Sequence, residues 1–175
     1  MTIHRFYLPR KEIETHGLVL KGGEAHHCHD VLRLREGGRV VVFDGQGREH
    51  VCKIGRATSK EISLVEIQQQ QTPGLPFRMT LAQAVPKGKT MDTIIHKATE
   101  LGAQRIIPVL SERTVVKVEA DETDGKRERW LEIAIEAAKL SGNNWLPAVD
   151  APKTVRELEK EVRHYDLALV GSLQP

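Results

Sequence analysis

The stretch TLAQAVPKGKTMDTIIHKATELGAQRIIPVL, residues 80–110, decides the fold because it predicts a strand, a helix and a second strand in succession. Residues 80–85 form a short apolar run that ends at a proline, which cannot continue a strand ladder. From Met91, apolar residues recur at helical spacing until Gly102, a residue typical of helix C-termini. Residues 105–109 return as a β-branched run. The unit is therefore βαβ and requires a parallel sheet.

The carboxyl ends of these two strands mark the predicted ligand edge, because ligands of open α/β sheets bind beyond the carboxyl ends of the strands. The residues that follow the strands here are Pro86, Lys87, Gly88 and Lys89 on one side and Ser111, Glu112 and Arg113 on the other. Three of these seven residues are basic and one, Glu112, is acidic. The sequence thus predicts where a ligand would bind.

Composition divides the 175 residues into two parts near Pro73, where the segment QQQQTPGLP is interpreted as a linker. The first 72 residues contain 11 Lys+Arg, 9 Asp+Glu and six of the eight histidines, whereas residues 73–175 contain 15 basic and 15 acidic residues. The formal charge of +2 is only a weak indication of an anionic partner. Two widely spaced cysteines and the absence of a predicted membrane span or signal peptide favour a reduced, cytoplasmic protein.

Residues 1–72 predict several short strands and one helix. HRFYLPR, residues 4–10, interleaves aromatic and basic side chains, which suits nucleic-acid stacking and equally suits an edge strand with aromatics in the core. A short helix is predicted over 24–34, where His26 and His29 share a face; we expect a solvated or RNA-facing cluster there and no metal. Strands at 39–43, 49–54 and 61–67, the first two a hairpin, predict a small β-barrel or sandwich.

The rest of residues 73–175 continue the parallel sheet. A second helix is predicted over 126–140, with a wide apolar arc that could cover this sheet or a second subunit. Glu136 lies at the border and Ser141 at the centre of that arc, and both are assigned helix-packing hydrogen bonds, with a substrate role as the alternative. A third helix precedes the run 167–170, predicted to be a strand buried on both faces. No helix follows that strand, so the sequence predicts an α/β sheet that is incomplete at the C-terminus.

Four segments of the chain form a recognisable pattern: HRFYL, HHCHDVLRLREGGRVVVFDGQG, KGKTMDTIIHKATELGAQRIIPV and KRERWLEIAIEAAKLSG. In their order and spacing, these segments resemble the RsmE family, which methylates N3 of a uridine in 16S ribosomal RNA. The resemblance implies S-adenosylmethionine as cofactor, the small ribosomal subunit as substrate or partner, and a homodimer. It also implies an RNA-binding PUA-like barrel at 1–72 and a SPOUT-type methyltransferase domain with a trefoil knot from residue 73.

The chain departs from the family pattern at two places. Asn143 and Asn144 stand where family members usually carry a basic residue, and the family's loops that hold the methyl donor lie beyond residue 175. We therefore expect 73–175 to be the earlier part of the methyltransferase domain, without the knot region.

Arg113 is the predicted catalytic residue, because a guanidinium can stabilise negative charge that develops on uracil carbonyl oxygens. A surface ion pair with Glu112 or Glu119 is the alternative. Leu173 is the predicted cofactor contact. The predicted RNA-contacting side chains are Arg5, Arg10, Arg33, Lys87, Lys89 and Lys97.

Two other functions stay open at this point. An RNA-binding module without catalysis would need only the barrel and the basic edge, if the protein ended at Pro175. A small-molecule enzyme that uses the loop at Lys87 for phosphate is less favoured, because that loop lacks the phosphate-binding pattern of nucleotide-triphosphate enzymes.

Overall fold

A computed structural model describes residues 3–111 and 120–171 of the chain. Its strands are His4–Tyr7 (β1), Val19–Lys21 (β2), Arg39–Phe43 (β3), Arg48–Ala57 (β4), Glu61–Gln71 (β5), Thr80–Ala84 (β6), Arg105–Leu110 (β7), Ala148–Val149 (β8) and Lys153–Thr154 (β9). Its α-helices are Arg10–His16 (α1), Gly22–His26 (α2), Thr90–Glu100 (α3), Ala120–Ser141 (α4) and Val155–Val162 (α5). Within this described part, no helix has the length and apolar character needed to cross a membrane.

Strands β1 to β5 form one curled sheet in the order β1-β3-β4-β5-β2, which we call, together with α1 and α2, the half-barrel. The parallel pair β1–β3 is followed by antiparallel pairs across the rest of the sheet. All five strands contribute to its core: Phe6, Leu20, Val40, Val42, Cys52, Ile54 and Ile62 are at most 2% exposed. The predicted hairpin 39–54 and the strand after it are confirmed.

The predicted glutamine linker is wrong at its first four residues. Gln68, Gln69, Gln70 and Gln71 continue β5 and pair with residues 48–51 of β4. Polar composition indicated a linker, but a strand edge supplies backbone hydrogen bonds whatever the side chains are.

The predicted helix over 24–34 begins earlier and ends sooner. Helix α2 starts at Gly22, and the chain continues through the π-helical turn His27–Val31. Cys28 in this turn is fully buried in the half-barrel core. The helical segment then stops because Arg33 takes a left-handed backbone, with φ of +55°.

The predicted βαβ unit is confirmed. Strands β6 and β7 are parallel and in register from the pair Thr80 and Arg105 to the pair Ala84 and Val109. Helix α3 connects them and buries Met91, Ile95 and Ala98. Helix α4 packs Trp130 and Ala134 of its apolar arc into the same core, whereas Leu140 at the end of that arc is exposed. We call strands β6–β9 with helices α3–α5 the α/β part.

The predicted buried strand at 167–170 is wrong. These residues have no regular structure, and Leu167, Leu169 and Val170 are 72%, 84% and 89% exposed. The outer side of β6 is unpaired in the described sheet, but residues 167–170 do not pair with it. An apolar run indicates a tendency to be buried and does not by itself determine strand pairing.

The half-barrel and the α/β part are joined through residues 143–146, which follow α4 and which we call the docking segment. Its backbone extends the β3–β4 turn: Gly47 N–H donates to Asn144 C=O at 2.9 Å, and Leu146 N–H donates to Gly45 C=O at 2.9 Å. The indole of Trp145 lies on Gly47, where a Cβ atom would come within 2.5 Å of it. The β3–β4 turn is therefore also a contact surface.

Polar side chains complete this contact. Asn144, only 4% exposed, donates from Nδ2 to Thr72 Oγ1 at 2.8 Å and accepts a hydrogen bond from Arg5. Arg5 also pairs with Glu49 at 2.7 Å. Burial opposes the charge of Glu49, but hydrogen bonds from Arg5 and Gln70 outweigh it and hold the pKa of Glu49 below its ordinary value. The two parts thus share a buried, hydrogen-bonded interface.

Candidate functional site

The carboxyl ends of β6, β7 and β9 meet at one edge of the parallel sheet, which we call the carboxyl edge. Ala84 lies beside Val109 in the register of β6 and β7, and Thr154 lies beside Leu110 in that of β7 and β9. Helix α5 begins directly after this edge, and α3 begins after the loop 85–89. Two helix N-termini and one loop therefore surround the predicted ligand position, where backbone N–H groups favour anions.

Lys87 and Lys89 lie together on this loop and are exposed, as is Gly88 between them. Gly88 has φ of +72° with open space where a Cβ would be, so the turn requires a left-handed backbone. Lys97 is separate: it lies eight residues along α3 from Lys89, about 12 Å by helical rise. Its Nζ atom is 2.8 Å from Glu100 Oε2. The structure thus groups Lys87 with Lys89 and sets Lys97 apart from them.

The predicted catalytic Arg113 and the predicted cofactor contact Leu173 lie outside the described residues, as do Glu112 and Glu119. Ser111 is the last described residue after β7, and it is half-buried at the carboxyl edge.

The three predicted RNA-contacting arginines of the half-barrel have different surroundings. Arg10 begins α1 and pairs with Glu14 at 2.8 Å on the surface, and Arg33 is exposed after the π-helical turn. Arg5 is the most buried of the three. Its side chain is 15% exposed, its guanidinium lies 5.1 Å from the centre of the Phe43 ring, and Glu49 neutralises its charge, so it stabilises the interface with the α/β part.

The histidines of the π-helical region surround a carboxylate. His26 Nδ1 and His29 Nδ1 lie 2.8 and 2.7 Å from the two oxygens of Asp30, and hydrogen bonds from His29 and His26 lower the pKa of Asp30. Among residues 3–111 and 120–171, no group of three or more His, Cys, Asp or Glu side chains could hold a metal ion.

A groove of about 630 Å³ runs between the half-barrel and α4. Its charged lining is mainly acidic, with Glu12, Glu24, Glu132 and Glu136. Lys139 lies in it, 2.6 Å from Glu24 and 2.8 Å from Glu136. Burial opposes the charge on Lys139, but these carboxylates outweigh it and hold its pKa above the ordinary value. The groove is electrostatically unsuited to a polyanion.

A charge network that sequence reasoning missed fastens α5 to the sheet. Arg105 in β7 pairs with Asp150 at 2.5 Å and with Glu161 at 3.0 Å, and Lys153 pairs with Asp150 at 2.9 Å. The hydrogen bond to Asp150 raises the pKa of Arg105. The other members of the network lie 45 or more positions after Arg105 in the chain, so their spacing in the sequence did not indicate the network.

The fold defines the class of protein first: a half-barrel followed by a parallel α/β sheet whose carboxyl edge is basic. Residues 20–67 match a family described as RNA methyltransferase PUA domain, and residues 73–174 match one described as RNA methyltransferase domain. The second match covers more than half of the chain, so the chain belongs to the RNA methyltransferase family that this domain defines.

Curated relatives agree in sequence over most of the chain. It is 33% identical over 153 residues to Ribosomal RNA small subunit methyltransferase E of Bacillus subtilis, covering 87% of the chain and 60% of the relative. It is 35% identical over 159 residues to the protein of the same name from Synechocystis, covering 91% of the chain and 51% of the relative. The chain therefore spans about half to three fifths of the length of these relatives.

Solved structures agree in fold. A ribosomal RNA small subunit methyltransferase E from Neisseria gonorrhoeae, bound to S-adenosyl methionine, superposes with a TM-score of 0.79 at 29% identity, covering 90% of this chain and 65% of that one. A putative methyltransferase from Legionella pneumophila, in complex with the same cofactor, superposes with a TM-score of 0.81 at 28% identity, covering 97% and 69%. The fold class predicted from the sequence is confirmed.

Proposed function

We propose that this protein methylates N3 of a uridine in 16S ribosomal RNA, with S-adenosylmethionine as the methyl donor. The observation that carries the proposal is the order of the two family matches, an RNA methyltransferase PUA domain and then an RNA methyltransferase domain. Relatives named for methylation of small-subunit ribosomal RNA, and structural neighbours that contain the donor, support it. Residues 1–72 form the RNA-binding domain in this proposal, and residues 73–175 belong to the methyltransferase domain.

S-adenosylmethionine would supply an electrophilic methyl group on a sulfonium. The chain's own task is to orient the uracil and to stabilise the charge left when the N3 proton departs. We assign the second role to Arg113, because β7 leads directly to the segment that contains it. We assign a contact with the donor to Leu173.

Among the described residues, the carboxyl edge fits a role at the rim of the donor site. Lys87, Gly88 and Lys89 are all exposed, so they can hold an anionic group but do not wall a cofactor in. Ammonium groups at this position suit RNA phosphate, which positions the substrate without reading its sequence. We add Lys97, Arg10 and Arg33 to the proposed phosphate contacts. We assign Arg5 to a supporting role, because its charge is already paired.

We further propose that the protein acts in the cytoplasm as a homodimer. Exposed leucines on the α/β part support a subunit contact there: Leu101 and Leu140 are 73% and 77% exposed. Sedimentation of the purified protein over a concentration range tests the homodimer.

The function is tested by methyl transfer to small ribosomal subunits that lack the modification, followed by nuclease digestion and mass spectrometry of the nucleosides. We expect N3-methyluridine to appear and no other methylated nucleoside to increase. Arg113→Ala should lower the rate at saturating RNA much more than it weakens RNA binding, whereas equal losses would make Arg113 a binding residue only. The assay uses the protein extended to the length of its relatives, and RNA binding without methyl transfer by that protein would refute the enzymatic proposal and favour a binding module.

A further inference from the structure

Two cations face each other across the half-barrel sheet. Arg39 of β3 and Lys53 of β4 are directly opposite in the antiparallel register, and both side chains are exposed. Directly opposed residues have Cβ atoms about 5 Å apart, and like charges in such pairs are destabilising. The sequence gave no sign of the pair, because the two residues belong to different strands of the hairpin.

The surroundings do not neutralise this pair. Within residues 3–111 and 120–171, the side chains of Arg39 and Lys53 form no ion pair and no side-chain hydrogen bond. On β5, the residue opposite Lys53 is Val65, which is 60% exposed, and Ile67 beyond it is 44% exposed. The sheet thus presents two adjacent cations beside an aliphatic surface.

The nearest carboxylate on the same face of β4 is Glu49, which Arg5 and Gln70 already engage. Glu49 lies four residues from Lys53, about 13 Å along the strand. The docking segment contacts the sheet at the Glu49 end and leaves the cationic end uncovered. A polyanion held at the cationic end would therefore lie on the same sheet face as the α/β part.

We infer that Arg39 and Lys53 bind one phosphate of the RNA backbone, with the adjoining sugar against Val65. This inference rests on the proposed function and adds two residues to its RNA-binding surface. A phosphate between the two cations removes their mutual repulsion. Binding of Arg39 and Lys53 to that phosphate also displaces counterions from the RNA, so the affinity depends on salt concentration. The acidic groove on the other side of the interface offers no comparable site.

Lys53→Glu separates binding from stability. The substitution places a carboxylate opposite Arg39, so the variant should unfold at a higher temperature than the unaltered protein while it binds RNA less tightly. The control is Lys60→Glu, which makes the same change of charge at the exposed tip of the β4–β5 hairpin without an opposed arginine. Binding of 16S RNA is measured by fluorescence anisotropy across a range of salt concentrations, and unfolding is followed by calorimetry.

We expect the salt slope of log affinity to decrease by about 1 or more for Lys53→Glu and by less for Lys60→Glu. Equal losses of affinity in the two variants, or unchanged binding by Lys53→Glu, would overturn the inference. Failure of the proposed function is distinguishable, because the unaltered protein would then still bind RNA, with the difference between the two variants retained, but would produce no N3-methyluridine.

Discussion

Substituting Gly47 by alanine tests whether the docking segment fixes the half-barrel to the α/β part. Gly47 has φ of +91°, and an added Cβ would lie 2.5 Å from the Trp145 ring and 2.5 Å from Gln71 Nε2. Gly37 provides a matched control in the same half-barrel. It has φ of +83° but nothing within 4 Å of an added Cβ. The two alanine variants share the backbone strain, and only Gly47→Ala disturbs the interface.

The expected magnitudes follow from these contacts. A left-handed backbone costs an ordinary residue about 1–2 kcal/mol, which applies to both variants. Displacing the Trp145 ring adds about 1–3 kcal/mol of overpacking strain. It also breaks the hydrogen bond that Trp145 Nε1 donates to Thr72 C=O at 3.2 Å, a loss of about 1 kcal/mol. We therefore expect Gly47→Ala to lose about 2–4 kcal/mol more free energy of unfolding than Gly37→Ala.

Calorimetry and tryptophan fluorescence measure this difference. For a chain of this size, each kcal/mol shifts Tm by about 2–4 °C, so the two Tm values should differ by about 4–16 °C. The emission of Trp145 should move to longer wavelength in Gly47→Ala, because the displaced ring becomes more exposed to water. Equal Tm values for the two variants would refute the packing of Trp145 against the β3–β4 turn.

Two further predictions concern α5 and its attachment to the sheet. Burial would raise the pKa of Asp150, but hydrogen bonds from Arg105 and Lys153 outweigh it and lower that pKa. The ionised Asp150 stabilises the fold above its unfolded pKa, and this stabilisation is lost as pH falls through its folded pKa. The free energy of unfolding of Arg105→Met should therefore decrease less steeply below about pH 4 than that of the unaltered protein. Superimposable urea-unfolding curves of the two proteins would contradict this. Thr154 caps α5 reciprocally with Glu157, so Thr154→Ala should cost about 1 kcal/mol by the same measurement. Thr154→Ser should retain most of that stability, and an equal loss in both variants would exclude the hydroxyl as the cause.

Local pattern identified the βαβ unit and the basic loop that follows its first strand. The spacing of apolar residues from Met91 and the glycine at position 102 depend only on neighbouring residues, so they could be read correctly in the sequence. The same reasoning assigned residues 68–71 to a linker and residues 167–170 to a buried strand. Both assignments were wrong, because strand pairing depends on contacts with the rest of the chain and not on the composition of the segment alone.

The candidate site shows the same division. Sequence reasoning correctly placed Lys87 and Lys89 on the loop between β6 and α3, because strand ends and helix starts are local features. It placed Arg5 among the RNA contacts, since an arginine beside aromatic residues near the N-terminus has that composition. The structure pairs Arg5 with Glu49 and with Asn144, which lies 139 residues away along the chain.

The sequence by itself determined the βαβ unit, the parallel sheet and the family resemblance, because periodicity and motif order are properties of the linear chain. The tertiary structure alone decided which polar groups meet. It brought Trp145 onto Gly47, joined Arg105 to Asp150, and set Arg39 opposite Lys53. These contacts depend on strand register and on the packing of one sheet against another part of the chain. The native register and packing are those that give the whole molecule its lowest free energy, and no local segment determines them.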